Sequence, residues 1–165
     1  NMVITHKKER LEKVGLLLRM TSKEDPFANR PVRRKMISPV DILNKHLVFL
    51  DNGRKVWFSH SQHRPKKEIE RLIVFSNKNG EFFICELFFD EYIQFNTPQI
   101  PPAVKKCPGS TPPEWEDVPE LVWVHLTGYK ELTLKDAAQI HMITSGDTLD
   151  KQIERKRFTS AEFSL

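Results

Sequence analysis

The chain has little of what most catalytic or anchored proteins carry. Only two of its 165 residues are cysteine, Cys85 and Cys107, and only six are glycine. No cysteine pair has zinc-ligand spacing, no glycine-rich segment is suited to cradling a phosphate, and no Gly-x-Ser-x-Gly elbow presents a nucleophile. No apolar run approaches the roughly 18 residues of a membrane-crossing helix, which excludes a membrane span of that kind. Two cysteines without a leader segment point to a reduced, cytoplasmic protein. Cys85 sits in an apolar run and reads as a small buried residue, Cys107 sits in a proline-rich stretch, and a bridge between them is left open. A chain of this length buries roughly two-thirds of its unfolded surface. It is therefore expected to stand as one domain, with an appended arm, without a metal, disulfide or cofactor as a staple.

The charge is more informative in its distribution than in its sum of +4. Residues 1–35 hold ten Lys/Arg against four Asp/Glu, and residues 36–80 hold eight against four. Residues 81–120 reverse this at two against eight, and the last 45 residues balance at six against six. A basic first half raises the odds of a polyanion-binding face, although solvated surfaces also segregate charge. Asn1-Met2 reads as a remnant ahead of the native start.

Periodicity predicts the elements. Leu11, Val14, Leu17 and Leu18 fall at offsets 0, 3, 6 and 7 opposite Lys7, Lys8, Arg10 and Lys13. That pattern predicts a helix over 5–20, with an extended arm at 16–20 as the alternative. Residues 1–36 are thus expected to be an N-terminal helix and a basic connector. Ser38-Pro39 opens a short helix, His46 to Leu50 reads as a short strand, and Asp51-Asn52-Gly53 as a tight turn. Strands are expected over 56–61, 68–76 and 81–89, with Asn77 to Gly80 as a hairpin turn and 92–95 as a short continuation. Phe82, Phe83, Phe88 and Phe89 read as core. Residues 96–120 hold seven of the eleven prolines, too long for an ordinary connection and so a functional loop or an insertion. Two further strands are expected at 121–126 and 129–132. Helices follow at 134–143, capped by Thr133, and at 148–156, capped by Asp147, before an edge strand at 163–165. Five or six short strands with two or three peripheral helices predict an α+β fold, a small mixed or antiparallel β-barrel over 37–165.

Reaction chemistry is thinly represented. His60 and His63 have the HxxH spacing, but on a strand end they do not converge as they do on a helix, so no metal ligand is assigned. Ser59 and Ser61 flank His60, yet adjacent strand residues point to opposite faces, and no catalytic residue is assigned. Glu114, Glu116 and Asp117 read as solvated loop acids. Binding chemistry fits better. Trp57, Trp115 and Trp123 are the three tryptophans, and planar ligands are held by stacking with a few polar groups reading the ring edge. Trp57 would supply such a wall, Ser59, His60 and Ser61 the edge contacts, and Trp123 a weaker contact. A tryptophan in a strand is as often simply core. Arg30, Arg33, Arg34 and Lys35, with Arg64, Lys66 and Lys67, are candidates for phosphate contacts, and Arg54 and Lys55 could join them.

Val56-Trp57-Phe58-Ser59-His60-Ser61 after a Gly turn resembles the EVE-domain strand that ends in aromatic-His-Ser. Leu121-Val122-Trp123-Val124-His125-Leu126, followed by Lys130-Glu131-Leu132-Thr133-Leu134-Lys135, is similar to the later strand of that domain. The resemblance is to the PUA-like superfamily (EVE, YTH and ASCH domains) and spans residues 48–165. It implies a small barrel with peripheral helices that binds RNA or modified DNA bases at the barrel mouth, with Trp57, Ser59, His60 and Ser61 near the pocket. The N-terminal EVE strand has no counterpart here, nor does the segment 98–119 have one in the family. Two other functions suit the residues. One is a protein-interaction module docking through the N-terminal helix or residues 96–120. The other is an enzyme acting on nucleotides or RNA with His60 or His125 as general base.

Overall fold

A computed structural model of the chain describes residues 12–21, 39–61, 67–78, 81–96, 120–155 and 161–165. Six strands and three helices follow in the order β1 (Lys13–Thr21), α1 (Pro39–Asp51), β2 (Val56–Ser61), β3 (Glu68–Lys78), β4 (Glu81–Asn96), β5 (Glu120–Glu131), α2 (Leu134–Ala137), α3 (Leu149–Glu154) and β6 (Ala161–Phe163). The strands form one mixed sheet in the order β2-β5-β4-β3-β1-β6. β1 runs parallel to β3 and the other neighbours are antiparallel. Among the described residues β2 and β6 are edges, so the sheet they form is open and does not show the expected barrel. The α+β class holds.

The sheet is buried on both faces because β3 is apolar on both. Strand side chains alternate, and Leu72 and Val74 enter one cluster while Ile73 and Phe75 enter the other. The first cluster joins Leu43 and Leu47 of α1 to Val56, Phe58, Cys85, Leu87, Val124 and Leu126. The second joins Leu17, Ile84 and Phe163 to Ala137, Ile140, Met142 and Leu149 of the C-terminal helical segment. Each Leu, Ile or Phe so buried contributes roughly 1.5–3 kcal/mol relative to exposure. The two layers therefore hold the sheet between α1 on one side and α2–α3 on the other.

Several expectations are corrected. Residues 13–21 are a strand, not the end of a helix, so the extended alternative holds over 16–20, and β1 lies inside the sheet between β3 and β6. The docking face expected on a helix is absent over these residues. Residues 46–50 are not a strand but the second half of α1. Leu43, His46 and Leu47 are buried at offsets 0, 3 and 4 while Val48 is exposed, which is helical spacing. Gly53, at φ +72°, closes α1 rather than a hairpin. Its N–H donates to Leu50 O at 3.0 Å and Arg54 N–H to Phe49 O at 3.0 Å, the paired bonds of a Schellman C-cap.

The strands expected at 121–126 and 129–132 are one strand, β5, continuous through Gly128. The expected continuation at 92–95 belongs to β4. Phe82 and Phe88 are 46% and 44% exposed rather than core, whereas Phe83 and Phe89 pack on the first cluster. Thr133 does cap α2, in a capping box with Asp136, but the helix ends at Ala137 instead of 143. Its carboxylate accepts from Thr133 N–H at 2.9 Å, and Asp136 N–H donates to Thr133 Oγ1 at 3.2 Å. α3 is capped at Thr148, one residue after the expected Asp147. The final strand is an edge among the described residues, but at Ala161–Phe163, two residues before the expected 163–165. The strands over 56–61 and 68–76 are present, and the β3–β4 ladder reaches Lys78↔Glu81, on either side of residues 79–80. The proline-rich segment and the helix expected over 5–11 lie outside the described residues.

Candidate functional site

The site is built where β2, β5 and β4 lie side by side. Val56 and Phe58 of β2 point into the α1 layer, so alternation sends Trp57 to the opposite face. There its cross-strand partner is His125 of β5, itself between buried Val124 and Leu126. The two rings stack with centroids 4.6 Å apart and planes 29° from parallel. Directly opposite cross-strand pairs are the natural unit of such contacts. Trp57 is half-buried, so its indole is both held and accessible.

β4 supplies the charge. Its ladder with β5 is irregular between Phe88 and Phe89 and again between Phe89 and Glu91. A bulge brings consecutive side chains closer to one side of a strand than regular pleating does. Glu91 lies across from His125, and the Asp90 carboxylate also reaches it, with Oδ1 2.6 Å from His125 Nδ1. Lys55 Nζ approaches the other Asp90 oxygen at 3.5 Å. Desolvation pushes the Asp90 carboxyl up, but the hydrogen bond and charge of His125, together with Lys55, outweigh it and hold the group below the usual carboxylate range. An ionised carboxylate only accepts, so the Nδ1–H of His125 donates to it and Nε2 is left as the second ring nitrogen. One donor atom from each of Asp90, Glu91 and His125 lies within 4.8 Å of the others.

Of the residues read as a ligand site from sequence, Trp57 is at this surface. Ser59 and Ser61 are on β2, registered with Trp123 and Val122, with an irregularity between them at His60. The side chains of Ser59, His60 and Ser61 lie outside what is described. Trp123 is fully buried and forms part of the interior rather than an accessible wall. Arg30, Arg33, Arg34, Lys35, Arg64 and Lys66 lie outside the described residues. Lys67 is described, and it is engaged: its Nζ is 2.8 Å from Glu162 and 3.6 Å from Glu12. These pairs, led by the hydrogen bond to Glu162, raise the Lys67 ammonium above its ordinary range. They also place it toward the β1–β6 side, while Trp57 is on the β2 edge. With strands about 4.8 Å apart, three intervals from β3 to β2 separate the two by roughly 14 Å of sheet width.

The sequence singled out His125 and Lys55 but not that both engage Asp90, and it did not single out Asp90 and Glu91 as members of the site. The available signal was the break of the Phe82–Phe89 apolar run at two acids. No family model, no curated protein and no solved structure matches the chain. Among the described residues no helix is long and apolar enough to cross a membrane.

Proposed function

We propose that this chain is a nucleic-acid-binding module that holds a base, with modified bases the foremost candidates, against Trp57. The observation that carries the reading is the half-exposed indole stacked on His125, a flat aromatic held in place on an outer strand. Aromatic stacking contributes about 1–3 kcal/mol per base and tolerates every base, so discrimination falls to polar groups at the ring edge. Ser59, His60 and Ser61 follow Trp57 on the same strand and are proposed for that task. Arg54 and Lys55 enter the strand from its exposed end, and the basic residues of 30–35 and 64–66 are proposed for phosphate contacts. Lys67, engaged by two carboxylates, is the weakest member of that set. The reading carries the PUA-like resemblance with it, as well as a reduced, cytoplasmic setting. A barrel of the PUA-like kind would require its edge strands β2 and β6 to be bridged.

The test is fluorescence anisotropy with short DNA and RNA, plain and base-modified, at two salt concentrations. Trp57→Ala should lose affinity by roughly 5- to 150-fold, the equivalent of 1–3 kcal/mol. Arg64→Ala with Lys66→Ala should weaken binding to every sequence and flatten its salt dependence.

The His125–Asp90 pair favours a second reading, an enzyme on nucleotides or RNA. Asp90 orients the ring through Nδ1 and leaves Nε2 to accept a proton, the arrangement of a general base. Turnover on a panel of nucleotides and oligonucleotides that disappears in His125→Ala would establish it, and a panel without turnover would remove it.

A further inference from the structure

We propose that Asp90, Glu91 and His125 form a binding site for a divalent transition-metal ion of the zinc class. Their donor atoms already lie within 4.8 Å of one another. Ligands 2.0–2.2 Å from a tetrahedral zinc stand about 3.3–3.6 Å apart. The Asp90–His125 Nδ1 contact at 2.6 Å must therefore open by less than about an ångström, with the Nδ1 proton passing to Nε2 so that Nδ1 can ligate, and Glu91 must close by little more. Two exposed carboxylates cover that range by side-chain rotation alone.

The arrangement depends on the irregular β4 ladder. In a regular strand Asp90 and Glu91 would point to opposite faces, and only one could reach His125. The two shifts between Phe88 and Glu91 bring both to the same imidazole. Trp57, stacked on that ring, limits its rotation, so the nitrogen donor is held before an ion arrives. Two carboxylates and a neutral imidazole balance a 2+ charge, mix hard and borderline donors as zinc accepts, and leave a fourth position open. Lys55, 3.5 Å from Asp90, is the cation that an incoming metal must displace.

The site does not rest on the base-stacking reading. Zinc binding that survives Trp57→Ala would leave the metal site standing, and base binding without zinc would leave the stacking reading standing.

Isothermal titration of the full chain with zinc chloride tests the proposal, with circular dichroism showing that each variant is folded. His125→Ala should weaken zinc binding by roughly tenfold or more. Glu91→Gln, at an exposed position where folding is safe, should weaken it several-fold. Lys55→Ala should tighten it, because a competitor for Asp90 is gone; an ion bound elsewhere has no reason to respond. His60→Ala with His63→Ala removes the closely spaced histidine pair outside the site and should leave the isotherm unchanged. The proposal is overturned by no binding at millimolar zinc, by loss of binding in the His60/His63 double variant, or by wild-type affinity in both His125→Ala and Glu91→Gln.

Discussion

Replacing Gly15 by alanine tests how the second core layer is assembled. Gly15 of β1 is registered against Phe163 of β6, and the fully buried Phe163 ring lies over the place where a side chain would begin. A Cβ at Gly15 would stand 2.1 Å from Phe163 Cζ and 2.2 Å from Cε2. Carbon atoms rest at about 3.5–4.0 Å, so the ring must retreat by roughly 1.5 Å. It has little room, because the Arg71 guanidinium lies 5.5 Å from the ring centroid and is itself tied to Glu86 by bonds of 2.7 and 3.1 Å. Ordinary overpacking costs about 1–3 kcal/mol. Expelling a core phenylalanine costs about 3–5 kcal/mol. The required displacement exceeds what small adjustments absorb, so Gly15→Ala should cost about 3 kcal/mol or more.

Equilibrium urea denaturation, followed by tryptophan fluorescence, measures this, and the double variant with Phe163→Ala sharpens it. Once the ring is gone the three nearest atoms to the new Cβ are gone with it, so the double variant should be about as stable as Phe163→Ala alone. That is strong non-additivity between neighbours. A Gly15→Ala chain within about 0.5 kcal/mol of wild type, or additive costs in the double variant, would show that the Phe163 ring gives way freely and does not clash.

Two further outcomes follow from the fold. Thr133→Ala removes one half of the capping box on α2 and should lower Tm by about 2–6 °C in a thermal melt, with Thr133→Ser retaining most of it. Cys85 is a free, fully buried thiol that burial, helped by the charge of Glu131, pushes up to about 12. Above pH ~8.5 the unfolded thiol loses its proton while the folded one keeps it, so the unfolded state binds fewer protons and stability falls as pH rises, by up to about 1.4 kcal/mol per unit until the folded pKa is reached. Urea midpoints between pH 8 and 10 should show that slope in wild type and a shallower one in Cys85→Ala; equal slopes would contradict the burial argument. Tyr92, whose phenol burial also raises, adds a decline of the same sign at higher pH.

What could be read from sequence was local, and what could not was relational. β2 and β3 were legible because runs of β-branched and aromatic residues, Val56 to Phe58 and Ile69 to Phe75, stand out between polar segments. β1 was misread as helical because Val14 to Leu18 is apolar at nearly every position, and a strand covered on both faces loses the alternation that would reveal it. The Gly15 that weakens a helix turns out to be the contact point of Phe163. The second half of α1 was misread for the opposite reason: Leu47, Val48, Phe49 and Leu50 look strand-like in isolation, and the helical spacing emerges only when Leu43 and His46 are included. At the site, Trp57 was legible as a rare aromatic near the start of a strand. Its stack on His125 requires the β2–β5 register, 68 positions apart in sequence, and the Asp90 contact requires a bulge that no residue type announces.

The proposed role of Trp57 is to serve as a surface for a base. The most direct measurement is anisotropy of a labelled oligonucleotide series, plain and base-modified, titrated with wild-type chain and with Trp57→Ala. Wild type should show salt-sensitive binding with a preferred base, and the variant should lose both that preference and roughly 5- to 150-fold in affinity. Equal binding by the two proteins across the series, or no binding by wild type at low salt, would contradict that role.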